Sequence, residues 1–366
     1  MISTKELVKN LLIVSEKAAR IVRICRQDEH LLSLLIEEKT DNNLRFTRDF
    51  KTLADVLVQE VIKYDIGKQF PTLKNFIYGE ESNKFTNVLG ESVIITLNDC
   101  KVNTGNLLYK VLNGDERAVN ALTEAVHSSI LLNEVPVNIL PADSIDIPAH
   151  DIAIWIDPID STAEYINGGS DNCEAILDYK GLPCVTVLIG LFSRSTGSSM
   201  IGVINQPFFK NVNEKWLGRC FWGVSIKDFN FSSVSPIATV RCEKFIAISA
   251  CESYHNKQKL EEAGFKLITP AGAGYKILCV ILNLIDAYVL TKGTTFYWDT
   301  CCCHAIIKAQ KGNIWNFENS LRGNFVEILY TEKSESDTNI EEYRNKAGYI
   351  VCKDENLVFL LELPNT

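Results

Sequence analysis

Along residues 5–35, apolar side chains recur at Leu11, Leu12, Ala18, Ala19, Val22, Cys25, Leu31, Leu32 and Leu35 with charges between them. This is the period of a long amphipathic helix, with a break expected near Asp28. A second helix is expected from about Asp49 to Tyr64. Leu53, Val56, Leu57 and Val61 form its buried stripe and Asp55 is turned away from it. Residues 84–144 are polar and mixed, with one helix expected over 115–131. The texture changes at Ile152: residues 152–156, 184–192 and 200–205 are short apolar runs bounded by turn residues, and predict buried strands. Downstream, 245–250 (strand), 254–263 (helix), 274–284 (helix), 287–290 (strand) and 299–310 (helix) alternate as in an α/β layer. A boundary is placed at Gly168-Gly169-Ser170, dividing 1–168 from 169–366, and residues 331–345 read as a surface loop.

Length and composition narrow the class. A chain of 366 residues with 46% hydrophobic and 23% charged residues is an ordered globular protein of one large or two joined domains. Lys and Arg number 37 against 46 Asp and Glu, a formal charge of -9, so there is no global positive field for nucleic acid or an anionic membrane. An anionic substrate therefore needs a local device. The first 39 residues are laced with charge and do not read as a secretory signal. The longest apolar stretch, 277–290, is broken by Asn283 and Asp286 and falls short of the roughly 20 residues that span a bilayer. Twelve scattered cysteines without a Cys-x-x-Cys pair read as reduced thiols. The expectation is a cytoplasmic monomer that binds neither nucleic acid nor membrane.

Asp157-Pro158-Ile159-Asp160-Ser161-Thr162 lies between an expected strand and a short expected helix at 163–166. Two carboxylates on one side of such a turn, beside the amides of Ser161 and Thr162, can hold a divalent cation and a phosphate together. An Asp-Pro turn with Asp160 as a helix cap explains the hexapeptide equally well. Gly79-Glu80-Glu81-Ser82 and Phe296-Tyr297-Trp298-Asp299 add three acids, each of which alone is more often surface or cap. Cys301-Cys302-Cys303-His304 looks like a soft-metal site, but contiguous cysteines do not easily surround one ion, so they are read as small buried helix residues. His150 is given no role.

Together these segments resemble the lithium-sensitive, magnesium-dependent phosphatase superfamily that includes the inositol monophosphatases, bisphosphate nucleotidases and fructose-1,6-bisphosphatase. Its pattern is Asp-Pro-x-Asp-Ser/Gly-Thr, a distant Trp-Asp, eleven residues and Gly-Gly. Asp157 to Thr162 and Trp298-Asp299 match, with Lys311-Gly312 in place of the glycine pair. The superfamily's upstream Asp-x-x-Thr-x-x-Asp stands as Asp49, Thr52 and Asp55, and its Gly-Glu-Glu as Gly79-Glu80-Glu81. Runs at 51–62, 79–83, 202–207, 271–276 and 298–301 are similar to the branch acting on inositol polyphosphates, and the likeness covers nearly the whole chain.

The resemblance implies a layered αβαβα sandwich of mixed α+β and α/β character. It implies hydrolysis of the 1-phosphate of inositol 1,4-bisphosphate and inositol 1,3,4-trisphosphate. Glu80, Asp157 and the Ile159 carbonyl are then the ligands of one Mg²⁺; Asp157, Asp160 and Asp299 those of a second; Glu81 helps hold a third. Li⁺ is the implied inhibitor. Asp55 becomes the general base, reached through Thr162, while Asp160 and the amides of Ser161 and Thr162 meet the transferred phosphate. Gly272, Ala273, Lys276 and Thr294 are the candidates for the phosphates that stay, because a Gly-Ala-Gly stretch before a helix approaches an anion closely. The alternatives are a 3′(2′),5′-bisphosphate nucleotidase and an inactive inositol-phosphate-binding protein. Retention of all six acids, Asp55, Glu80, Glu81, Asp157, Asp160 and Asp299, argues against the last.

Overall fold

The computed structural model describes residues 1–27, 29–38, 50–87, 89–169, 180–235, 242–333, 340–359 and 361, so Asp28, Asp49 and Ser170 lie outside the described residues. In chain order, β1 (Ile2–Ser3), α1 (Thr4–Gln27), α2 (Glu29–Leu34), β2 (Ile36–Glu38), β3 (Phe50–Thr52) and α3 (Leu53–Gln69) come first. β4 (Ile77–Gly79), β5 (Lys84–Thr86), β6 (Ser92–Ile94), α4 (Lys101–Val111), α5 (Glu116–His127) and β7 (Asp146–Ile147) follow. Next are β8 (Ile152–Asp160), α6 (Thr162–Asn167), β9 (Thr186–Ser193), β10 (Ser199–Val212), β11 (Lys215–Ile226) and β12 (Phe229–Ser232). The remainder is β13 (Lys244–Ala247), α7 (Tyr254–Glu262), β14 (Phe265–Ile268), α8 (Ala273–Ile281), β15 (Ala287–Leu290), α9 (Tyr297–Lys308), β16 (Asn313–Asn316), α10 (Phe317–Leu321), β17 (Tyr349–Cys352) and α11 (Asn356–Phe359).

Two sheets carry the fold. One has the order β12-β11-β10-β9-β8-β4, antiparallel except for the β4–β8 pair; the other has β14-β13-β15-β17-β16, parallel across its first three strands. Alternation along the strands explains why both sheets are covered on both faces. In β8, Ile152, Ile154 and Ile156 join the α1 and α3 core, while Ala153 and Trp155 point into an aromatic cluster with Trp298 and Tyr343. In β15, Tyr288 and Leu290 face α8 and α9, and Ala287 and Val289 face the outer layer with Leu260 and Phe317. The layers are thus α1 with α3, the first sheet, α8 with α9, the second sheet, and α7 with α10. This is an αβαβα sandwich. The boundary expected at Gly168 runs through the first sheet, which takes β4 and β8 from before it and β9 to β12 from after it.

Three glycines set the middle layer. Gly190, Gly202 and Gly223 stand side by side on β9, β10 and β11, and a Cβ on any of them would run into the backbone of α9 at Cys301, Cys302 or Ile306. The bare lane lets α9 lie almost directly on the sheet, which explains why its facing residues are the small Cys301, Cys302 and Cys303.

Several elements differ from the sequence reading. The helix expected from Asp49 starts at Leu53, because Thr52 caps it and Phe50–Thr52 is a strand. β8 continues through Asp157 and Pro158 to Asp160, where a turn was expected, with a register shift between Asp157 and Asp160. β10 likewise runs past Pro207, which falls inside a register shift between Gln206 and Lys210. Helix α4 went unread in the polar stretch. The 331–345 segment is more than a surface loop in its described part, since Trp155 Nε1 donates to the Thr331 carbonyl and Tyr343 is buried.

Candidate active site

Asp157, Asp160 and Asp299 come together, and Glu80 and Asp55 lie near enough to act on Asp157 electrostatically. In a regular strand Asp157 and Asp160, an odd number of residues apart, face opposite ways; the register shift between them brings both to one side. Asp157, Asp160 and Asp299 each offer a carboxylate oxygen, and these lie within 4.8 Å of one another. The parallel ladder pairs Tyr78 with Trp155 and Gly79 with Ile156. Its continuation, Glu80 N–H to the Ile156 carbonyl at 3.1 Å, places Glu80 beside Asp157. Glu81 is buried and Glu80 half-buried.

Asp55 and Asp299 are held by the same device. Each is the third residue of its helix, turned back on the residue that caps it. Asp55 Oδ2 accepts from Thr52 N (2.7 Å) and Thr52 Oγ1 (2.6 Å), and Asp299 Oδ2 accepts from Phe296 N (2.6 Å). One oxygen of each acid is committed to a helix start, which fixes where the other points. Asp55 is 1% exposed, buried although it is turned away from the Leu53 and Leu57 stripe.

Asp160 is bound more tightly still. Its Oδ1 accepts from Ala273 N (3.3 Å), and its Oδ2 from Gly274 N (2.9 Å) and Thr186 Oγ1 (3.2 Å). A Cβ on Gly272 or Gly274 would come within 3.0 Å of that carboxylate, so the two glycines let α8 dock on Asp160. The Ala273 amide offered to a substrate phosphate is thus turned to Asp160. Lys276 is 2% exposed rather than on the surface, its Nζ donating to the Gly272 carbonyl (3.2 Å) and lying 5.3 Å from the Tyr288 ring centre. Thr294 Oγ1 is buried and has no hydrogen-bond partner among the described residues.

Ser161 caps α6 in the left-handed region at φ 73°, and Thr162 is the first residue of that helix. A left-handed backbone is uncommon for a residue with a Cβ and marks this turn as held by its surroundings. The Thr162 hydroxyl donates to the Ile159 carbonyl (3.1 Å), and the hydroxyl found on Asp55 is that of Thr52.

The electrostatics follow from crowding. Burial pushes the Asp157 carboxyl well above its ordinary range, and Glu80, Asp160, Asp299 and Asp55 push it further. Burial also raises Asp160, opposed by Lys276, Thr186 and the two α8 amides. Such a site is strained by its own charge unless a cation enters it, and several hard oxygens without thiolate or imidazole suit Mg²⁺. The Cys301 to Cys303 thiols are instead pushed up by burial, consistent with packing residues. His304 sits between Tyr330 OH (3.0 Å) and Asn313 Oδ1 (2.5 Å), and His150 is exposed. No disulfide joins the described cysteines, and no described helix is long and apolar enough to cross a membrane.

Three supporting residues escaped the sequence reading. Thr186 reaches Asp160 only through strand register, which no spacing reveals. Thr52 was visible in the motif but not as the partner of Asp55. Gln59, one helical turn after Asp55, binds the backbone of Glu81.

A five-layered sandwich with a buried carboxylate cluster beside a helix start can bring a divalent cation and a phosphate together. The chain belongs to the inositol monophosphatase family, a family of phosphoric monoester hydrolases, which it matches over residues 113–350. It is 40% identical to inositol polyphosphate 1-phosphatase of Bos taurus, over 96% of this chain and 94% of that one. It is 28% identical to the human 3′(2′),5′-bisphosphate nucleotidase 1, over 84% and 82%. Among solved structures, a staphylococcal inositol monophosphatase-1 described as a 100 mM LiCl soaked inhibitory complex shares the fold, with a TM-score of 0.55, 13% identity and coverage of 100% and 97%. SuhB of Bartonella henselae does so with a TM-score of 0.54, 14% identity and coverage of 98% of each chain.

Proposed function

We propose that this chain hydrolyses the 1-phosphate of inositol 1,4-bisphosphate and inositol 1,3,4-trisphosphate, in the turnover of inositol phosphate signals in the cytoplasm. The observation that carries the reading is 40% identity to an inositol polyphosphate 1-phosphatase along 96% of the chain. The weaker match to the nucleotidases makes an adenosine bisphosphate the second choice.

Glu80, Asp157 and the Ile159 carbonyl would hold one Mg²⁺, Asp157, Asp160 and Asp299 a second, and Glu81 a third. Bound there, Mg²⁺ supplies activation of the attacking water and stabilisation of the departing inositol oxygen. Asp55, fixed by Thr52, is the proton acceptor at its second carboxylate oxygen. Thr162 carries the water's proton toward it once its hydroxyl turns away from the Ile159 carbonyl. The Ser161 and Thr162 amides orient the transferred phosphate. Lys276, the Gly272 backbone and the Thr294 hydroxyl hold the remaining phosphates and so decide which ester lies over the acids, the Ala273 amide being engaged by Asp160. Asp157, Asp160 and Asp299 would also be the residues that hold Li⁺ as an uncompetitive inhibitor.

The test is phosphate release with Mg²⁺ from inositol 1,4-bisphosphate, inositol 1,3,4-trisphosphate, inositol 1-phosphate and adenosine 3′,5′-bisphosphate. Preference for the first two is expected. Preference for the adenosine compound makes the chain a nucleotidase, and binding of the inositol phosphates without turnover makes it a binding protein.

A further inference from the structure

Gln59 is fully buried on α3, among Val56, Val58, Val61 and Ile62, where a residue serving packing alone would be aliphatic. Both polar ends of its amide go to one residue. Gln59 Nε2 donates to the Glu81 carbonyl (2.6 Å), and Glu81 N–H donates to Gln59 Oε1 (2.9 Å). That is the pair of bonds a neighbouring strand would give Glu81, supplied where β4 has ended at Gly79. Gly79 is bare for the same reason, since a Cβ there would overlap the Gln59 amide.

The placement along α3 matters. Asp55 and Gln59 are one turn apart on one face, so the helix that carries the proton acceptor also grips the loop that carries Glu80 and Glu81. An amide suits this position because it offers a donor and an acceptor without adding charge to a site already crowded with acids. Burial makes the clamp obligatory, since an unpartnered amide in this core is strongly unfavourable.

We infer that Gln59 is a positioning residue that sets the affinity of the Glu80–Glu81 side of the site for its cation. This rests on the reading of Glu80 and Glu81 as cation ligands. Gln59→Met keeps the volume and removes both hydrogen bonds. The experiment titrates Mg²⁺ into metal-free protein by calorimetry, and measures the Mg²⁺ concentration that half-saturates turnover together with kcat at saturating Mg²⁺. Expected are a dissociation constant and a half-saturation raised about tenfold, with kcat at saturation within about twofold of wild type. A melting temperature that falls while Mg²⁺ affinity stays unchanged reduces Gln59 to packing and overturns the inference, as does a loss confined to kcat. Wild type that binds no Mg²⁺ removes instead the reading on which the inference rests. Should Gln59→Met not fold, hydrogen exchange of the metal-free wild type decides. The Glu81 amide is protected if the clamp stands ready before the cation arrives, and exchange at the rate of an open loop overturns it.

Discussion

The backbone of Cys302 on α9 rests directly on Gly202 of β10, with no room between them for a Cβ. Since α9 begins two residues before Asp299, this contact fixes the height of a site acid above the sheet. Gly202→Ala is expected to destabilise the fold by about 3 kcal/mol through overpacking, and to weaken Mg²⁺ binding in whatever fraction folds. Denaturant unfolding with and without Mg²⁺ measures both. A change of less than about 0.5 kcal/mol contradicts the close contact.

If Asp160 and Asp299 are cation ligands as proposed, Asp160→Asn and Asp299→Asn should each cut turnover at least about 100-fold while leaving the circular dichroism spectrum intact. Stability should move the other way in the metal-free state. Asp157→Asn removes a carboxyl whose pKa is raised by burial and then by the neighbouring acids, and so is expected to stabilise metal-free protein. Thermal melts in a chelator test the sign.

His304 gives a pH signature away from the acids. Burial, and secondarily Lys308, lowers its pKa from 6.5 to about 4. Between those values the unfolded chain binds more protons than the folded one, so this contribution is complete above pH 6.5 and is lost as pH falls toward 4. The loss amounts to at most about 3 kcal/mol. His304→Gln should flatten the dependence of unfolding free energy on pH in that window relative to wild type, and an identical slope disproves it.

Lys276→Ala should raise KM for inositol 1,4-bisphosphate about 10- to 100-fold and affect inositol 1-phosphate much less, since only the first carries a second phosphate. The contact of Lys276 with Gly272 and its influence on Asp160 define the competing outcome. Equal losses on both substrates would assign Lys276 to holding Asp160 and α8 in place.

The individual elements were legible because apolar runs at 152–156 and 287–290 and the helical period of α1 each carry their own signal, while the five-layer arrangement came from the family resemblance. Asp157, Asp160 and Asp299 were legible as motif, and they do converge. What sequence could not show is set by register and approach. The Asp157–Asp160 pair meets only because β8 shifts register at Pro158. Thr186 touches Asp160 across strands, and the Ala273 and Gly274 amides reach it only once α8 docks. Proline misled at Pro158, read as a turn where β8 absorbs it in irregular pairing. Lys311, which replaces a glycine of the family pattern, keeps the left-handed backbone at φ 66°, so the turn survives although its usual residue does not.

The glycine lane under α9 also governs timing. Glu80 and Asp299 are more than 200 residues apart in the chain, and Asp299 is carried by a helix whose backbone lies on the glycines of three paired strands. A polypeptide emerging from the ribosome therefore has no complete acidic cluster until most of the molecule has been made and paired. On the proposed reading, a chain that stops before α9 lacks Asp299 and with it one side of the cation site.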